Sequence, residues 1–178
     1  MLRPGRIDRK IKVQRPSRQE AQDILRIYIT PELPLSEKLL AAHGHNADSA
    51  CRAVIEETID HVFKKSDDNR VLSIRLRNGK TETLHRCDLI SGAILASLAR
   101  RAKERAIERT INEGGHGLTL EDVLHSIDDE FREGEILPPD DSAEEWLKLL
   151  DHYPDQVVGV SSFRKGRRAE EKINHSII

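Results

Sequence analysis

Residues 91–115 read SGAILASLARRAKERAIERTINEGG, and the fold turns on how this stretch is read. Ser91-Gly92-Ala93 opens the segment. Ile94, Leu98, Ala102 and Ala106 recur at i+4 with Leu95 beside them, an apolar stripe of helical period. The spacing predicts a helix running to Asn112 and stopped by Gly114-Gly115. A stripe of that length needs partners, and the flanking sequence supplies them.

Downstream, Thr119 is placed to cap a second amphipathic helix with Val123, Leu124, Ile127 and Phe131 inward, and Pro138-Pro139 closes the block. Upstream, residues 71–86, VLSIRLRNGKTETLHR, carry Asn78-Gly79 between alternating segments. That pattern predicts a hairpin with a two-residue turn, placing Leu76 opposite Thr81, Ile74 opposite Thr83, and Arg75 opposite Glu82 as an ion pair. Earlier still, a helix is expected from about Ala47 with Val54, Ile55, Ile59, Val62 and Phe63 on one face. Ser36 heads a short helical stretch before the loop His43-Gly44-His45-Asn46. Ser17 and Glu20 form a capping box ahead of Ala21, Ile24, Leu25 and Tyr28, and Pro31 and Pro34 end that helix. Ile11 and Val13 alternate with Lys10, Lys12 and Gln14, which reads as one strand of a sheet whose other strands are absent. After residue 139 the pattern weakens to a short helix around Trp146, a strand over 156–160 and a basic tail over 164–172.

The composition agrees with a helical module. Of 178 residues, 37% are hydrophobic and 3% aromatic, a thin aliphatic core, while 34% are charged. The formal net charge of -2 leaves no global field to recruit nucleic acid or an anionic membrane. No apolar run approaches the roughly 18 residues of a membrane span, and no signal peptide stands out. Cys51 and Cys87 have neither metal-type spacing nor the number needed for a disulfide scaffold. A soluble cytoplasmic chain is expected.

Candidate chemistry lies at few places. LRPGRID at 2–8 holds Arg3 and Arg6 on a segment stiffened by Pro4 and turned by Gly5. Guanidinium groups presented that way suit a phosphate, although a polar terminal tail would carry the same residues. GGHGLT at 114–119 lacks the lysine and spacing of a phosphate-binding loop and reads as a turn between helices. No other Walker-like loop occurs, so the chain alone is not expected to hydrolyse a nucleotide. His43, His45 and His61 are completed by no cysteine or carboxylate, and no metal site is assigned. Arg101, Arg105 and Arg109 share one helical stripe, but the interleaved Glu104 and Glu108 favour a solvated face over a nucleic-acid contact.

Taken in order, these segments resemble a known family. LRPGRID is similar to the end of the second region of homology of AAA ATPases, and KIKVQRPS at 10–17 resembles the last strand and hinge of the large α/β subdomain. Ser91-Gly92-Ala93 resembles the turn that opens the lid helix. DDNR at 67–70, the inserted hairpin, RAKERAI at 101–107 and LHSIDDEF at 124–131 resemble the proteasome-associated AAA ATPases of actinobacteria, also called ATPases forming ring-shaped complexes.

The resemblance implies a mainly α fold: an AAA+ C-terminal helical lid bundle with an inserted β-hairpin, preceded by one strand of a missing α/β subdomain. Residues 1–16 would end the large subdomain, 17–138 would form the lid, and 139–178 a C-terminal extension. It implies that Arg3 and Arg6 act as arginine fingers on a neighbouring subunit's ATP, and that Ser91, Gly92 and Ala93 meet adenine and ribose. Mg2+ would be held by the missing large subdomain. It further implies a homo-hexamer that unfolds protein substrates for the proteasome, with no nucleic acid or membrane as partner. Two departures matter. Members that dock on the proteasome end with a penultimate tyrosine, whereas this chain ends NHSII at 174–178. The lid helix has no arginine at its start, which leaves Arg3 and Arg6 as the charge suppliers. The alternative from another class is a non-catalytic helical interaction module.

Overall fold

The computed structural model describes residues 14–133 and 157–163. Arg3, Arg6, the expected strand around Ile11 and Val13, the helix around Trp146 and the basic tail over 164–172 lie outside the described residues.

Among the described residues, four helices carry the fold. The capping box at Ser17 forms, with the Ser17 amide donating to a Glu20 carboxylate oxygen at 2.7 Å, and opens α1 (Arg18–Tyr28). A short α2 (Glu37–Ala42) follows Ser36, and α3 (Ala47–Phe63) starts from an Asn46 cap whose side chain accepts from the Ser49 amide. The long helix read from residues 91–115 is α5 (Gly92–Glu113), capped by Ser91 and ended at Gly114. Helix α6 (Leu120–Glu133) returns along it. Leu25, Val54, Ile59, Leu95, Leu98 and Ile127 are almost wholly buried in one cluster, while Leu124 and Phe63 are only partly covered. Burial of each such aliphatic side chain contributes roughly 1.5–3 kcal/mol, so the bundle is held mainly by this interface.

Between α3 and α5 lies the insertion. Strand β1 (Arg70–Leu76) pairs antiparallel with β2 (Thr81–His85), as the sequence predicts, but the register differs. Arg75 faces Thr81, Ile74 faces Glu82 and Ser73 faces Thr83, so the expected Arg75–Glu82 pairing does not occur. The cause is the turn. The Gly79 amide donates to Leu76 O at 3.0 Å, the Leu76 amide donates to Lys80 O at 2.8 Å, and only Gly79 has positive φ, at 81°. This is a three-residue loop, a type I turn closed by a left-handed glycine. The extra residue shifts the partners of Ser73, Ile74 and Arg75 by one.

A third strand, β3 (Val157–Ser162), joins the other edge of β1 antiparallel, giving the order β2-β1-β3. The expected strand over 156–160 therefore exists, and it is paired to the hairpin. Arg70 lies over the Phe163 ring, 5.9 Å from its centroid. A single turn of helix, α4 (Arg86–Leu89), leads from β2 into Ser91 and has no counterpart in the sequence reading.

Candidate functional site

The corner where α4 ends and α5 begins is the one predicted site within the described residues. Ser91 Oγ accepts from the Ile94 amide at 3.3 Å, and Ser91 O accepts from the Leu95 amide at 3.1 Å. That cap satisfies the third amide of the helix. The first two amides, of Gly92 and Ala93, have no intrahelical acceptor by helix geometry. Both residues are exposed, whereas Leu89 and Ile90 before them and Leu95 after them are wholly buried. The first turn of α5 carries no carboxylate, while α1, α2, α3 and α6 each have one there. The positive end of a 22-residue helix is thus open to solvent beside a small-residue surface.

Gly92 is not required by internal packing. A Cβ built there would meet nothing nearer than Ile24 Cδ1 at 4.0 Å, an ordinary contact. By contrast, a Cβ at Gly117 would stand 2.4 Å from the Leu35 carbonyl carbon. Strands of loop cross there, with the Leu118 amide donating to Pro34 O at 2.7 Å and the Ser36 amide to Leu118 O at 3.0 Å. The GGHGLT segment is accordingly a structural turn, as its spacing implies.

Two groups hold α4, and sequence reasoning singled out neither. Arg86, at its start, bonds Asp128 of α6 at 2.7 Å and sits over the Phe131 ring, 5.4 Å from its centroid. Its guanidinium also lies 3.5 Å from His61 Nε2 of α3. Burial, and then this neighbouring cation, push the His61 pKa below 6.5. Arg15, just ahead of α1, donates to the Leu89 carbonyl and, at 3.4 Å, to the Ile90 carbonyl. These are orphan acceptors at a helix end, a signal invisible in sequence spacing.

The arginine stripe of α5 is not the solvated face that its interleaved glutamates suggest. Arg101 pairs with Glu130 at 2.7 Å, Arg105 with Asp129 at 3.2 Å and Arg109 with Asp122 at 2.8 Å. The segments RAKERAI and LHSIDDEF therefore interlock across the α5–α6 interface. DDNR likewise has a local role: the buried Asn69 amide donates to His61 O and Lys64 O, at 2.6 and 2.7 Å, closing the end of α3. Among the described residues, no cluster of three or more His, Cys, Asp or Glu side chains could hold a metal ion. No described helix is long and apolar enough to cross a membrane.

Residues 16–177 match the family model described as ARC, AAA+ ATPase lid domain. The chain is 35% identical over 171 residues to the "Proteasome-associated ATPase" of Parafrankia sp. (strain EAN1pec), covering 96% of the chain and 28% of that protein. It is 39% identical over 159 residues to the protein of the same description from Acidimicrobium ferrooxidans, covering 89% and 28%. For that of Nocardia farcinica, the figures are 37% over 169 residues, with 95% and 29% covered. The chain spans less than a third of the length of these curated relatives.

Proposed function

Because the chain belongs to the ARC family of AAA+ ATPase lid domains, we propose that it supplies the lid half of an ATP pocket. The pocket lies in a hexameric, cytoplasmic ATPase that unfolds protein substrates and passes them to the proteasome. Ser91, Gly92 and Ala93 take the adenine and ribose side of the nucleotide. Arg3 and Arg6 reach the γ-phosphate bound to the adjacent subunit, where their permanent charge and planar fork match phosphate oxygens. This sequence contains no Walker A loop. The phosphate cradle and the Mg2+ ligands therefore belong to residues outside it, and the chain by itself turns over no ATP.

The observation that supports this reading is the exposed glycine at the head of α5, which internal packing does not demand. With no Cβ at that position, the backbone can lie close to a planar base.

The fingers are tested in the assembled ATPase carrying this lid. With Arg6→Ala, rings form and ATP turnover falls by about a thousandfold, the scale of a lost finger. Wild-type turnover by such rings contradicts the assignment.

A further inference from the structure

Arg15 connects the segment just ahead of α1 to the Ser91 corner. It precedes Pro16, whose ring restricts Arg15 to extended backbone, and Ser17 then caps α1. The guanidinium crosses to the far end of α4 and donates to the Leu89 and Ile90 carbonyls. Both residues are wholly buried, and Ser91 follows at once. At its other end α4 is fastened to α6 by Arg86–Asp128, and the Asp88 carboxylate accepts from the His85 amide at 2.8 Å. Helix α4 is therefore held at both ends, and Arg15 fastens the end that leads into Ser91.

We propose that Arg15 is a positioning residue for nucleotide, tying the segment before α1 to the Ser91 corner and so fixing where the Gly92–Ala93 backbone lies. The proposal rests on the reading of that corner as the lid side of the ATP pocket. Its consequence is specific. Loss of the tie leaves the helical core intact but lets the corner shift relative to α1, weakening ATP binding more than it slows the chemical step.

Two measurements test it. In the 178-residue chain, Arg15→Ala should speed amide exchange at Ile94 and Leu95 by about tenfold, the scale of a lost charge-assisted hydrogen bond, while α3 amides keep wild-type protection. Unchanged exchange at Ile94 overturns the proposal whatever the nucleotide does. In the assembled ATPase, Arg15→Ala should raise the KM for ATP by about tenfold with kcat changed by less than about twofold. Arg15→Lys, which keeps a donor, should recover part of the loss. Arg18→Ala, which removes the exposed pair with Asp60 near the start of α1, should leave KM alone. Faster exchange without a KM change would make Arg15 merely structural and overturn the proposal. A KM rise that follows lost thermal stability across Arg15→Ala, Arg18→Ala and Leu98→Ala would do the same. If Gly92→Leu also leaves KM unchanged, the pocket reading is what has failed.

Discussion

Arg109 grips Asp122 through two parallel contacts, Nε to Oδ1 at 3.3 Å and Nη2 to Oδ2 at 2.8 Å, and the same Nη2 donates to Gly117 O at 2.7 Å. One guanidinium thus joins α5, the glycine loop and the start of α6. Thr119 completes the unit, donating from its hydroxyl and its amide to Asp122 Oδ2 at 2.8 and 2.9 Å. Burial works against the Asp122 carboxylate, but the bonds from Arg109 and Thr119 outweigh it and hold the pKa below 3.8. Arg109→Ala should cost about 2–3 kcal/mol, because Asp122 is left buried without its counter-ion. The sign with pH follows from the lowered pKa. The carboxylate stabilises the fold above its unfolded pKa, and that contribution disappears as pH falls through the folded value. Urea unfolding of wild type and Arg109→Ala at neutral and acid pH measures both effects.

Gly117 should be far less replaceable than Gly79, although both have φ near 80°. At Gly79 a Cβ has open space, and alanine there meets only the backbone penalty of about 1–2 kcal/mol. At Gly117 the Cβ would also collide with the Leu35 carbonyl and the Ser36 nitrogen, at 2.4 and 2.7 Å. Gly117→Ala should therefore destabilise the chain by about 3 kcal/mol or more and separate the 34–36 segment from the loop. Denaturant midpoints of the two variants give the comparison.

His61 should make the fold weaken under mildly acid conditions. Its folded pKa lies below 6.5, through burial first and the Arg86 cation next, with Asp128 and Asp68 pulling the other way. The unfolded chain then binds the proton more readily. Stability contributed by the neutral ring is complete above 6.5 and is lost as pH drops towards the folded value. His61→Gln should flatten the stability profile in that window, as read from thermal melts. A slope unchanged by the substitution would assign the effect to another group.

What could be read from the sequence tracks how local the physics is. The helices capped by Ser17 and Thr119 were legible from caps and apolar period together, and those starting near Ala47 and Ser91 from their apolar period. Helix α4 is four residues long and has no period to detect. The hairpin was visible in Asn78-Gly79, but its register depended on whether Asn78 or only Gly79 took positive φ, and one residue of loop moved the partners of Ser73, Ile74 and Arg75. The α5 arginines look solvated in their own helix because their carboxylates come from α6. The Ser91 corner was readable as a helix start. Arg15 was not, since its acceptors are backbone carbonyls 74 and 75 residues away.

The central claim, that the open corner at Ser91, Gly92 and Ala93 is half of a nucleotide pocket, is tested most directly by Gly92→Leu. Gly92 is exposed, and the nearest atom to a new Cβ is Ile24 Cδ1 at 4.0 Å. The 178-residue chain should keep its thermal midpoint, because Gly92 is exposed at the first position of α5. In the assembled ATPase the same substitution should raise the KM for ATP by about tenfold or more as the side chain fills the base's place. A stable lid whose ATPase binds ATP as tightly as wild type would contradict the account.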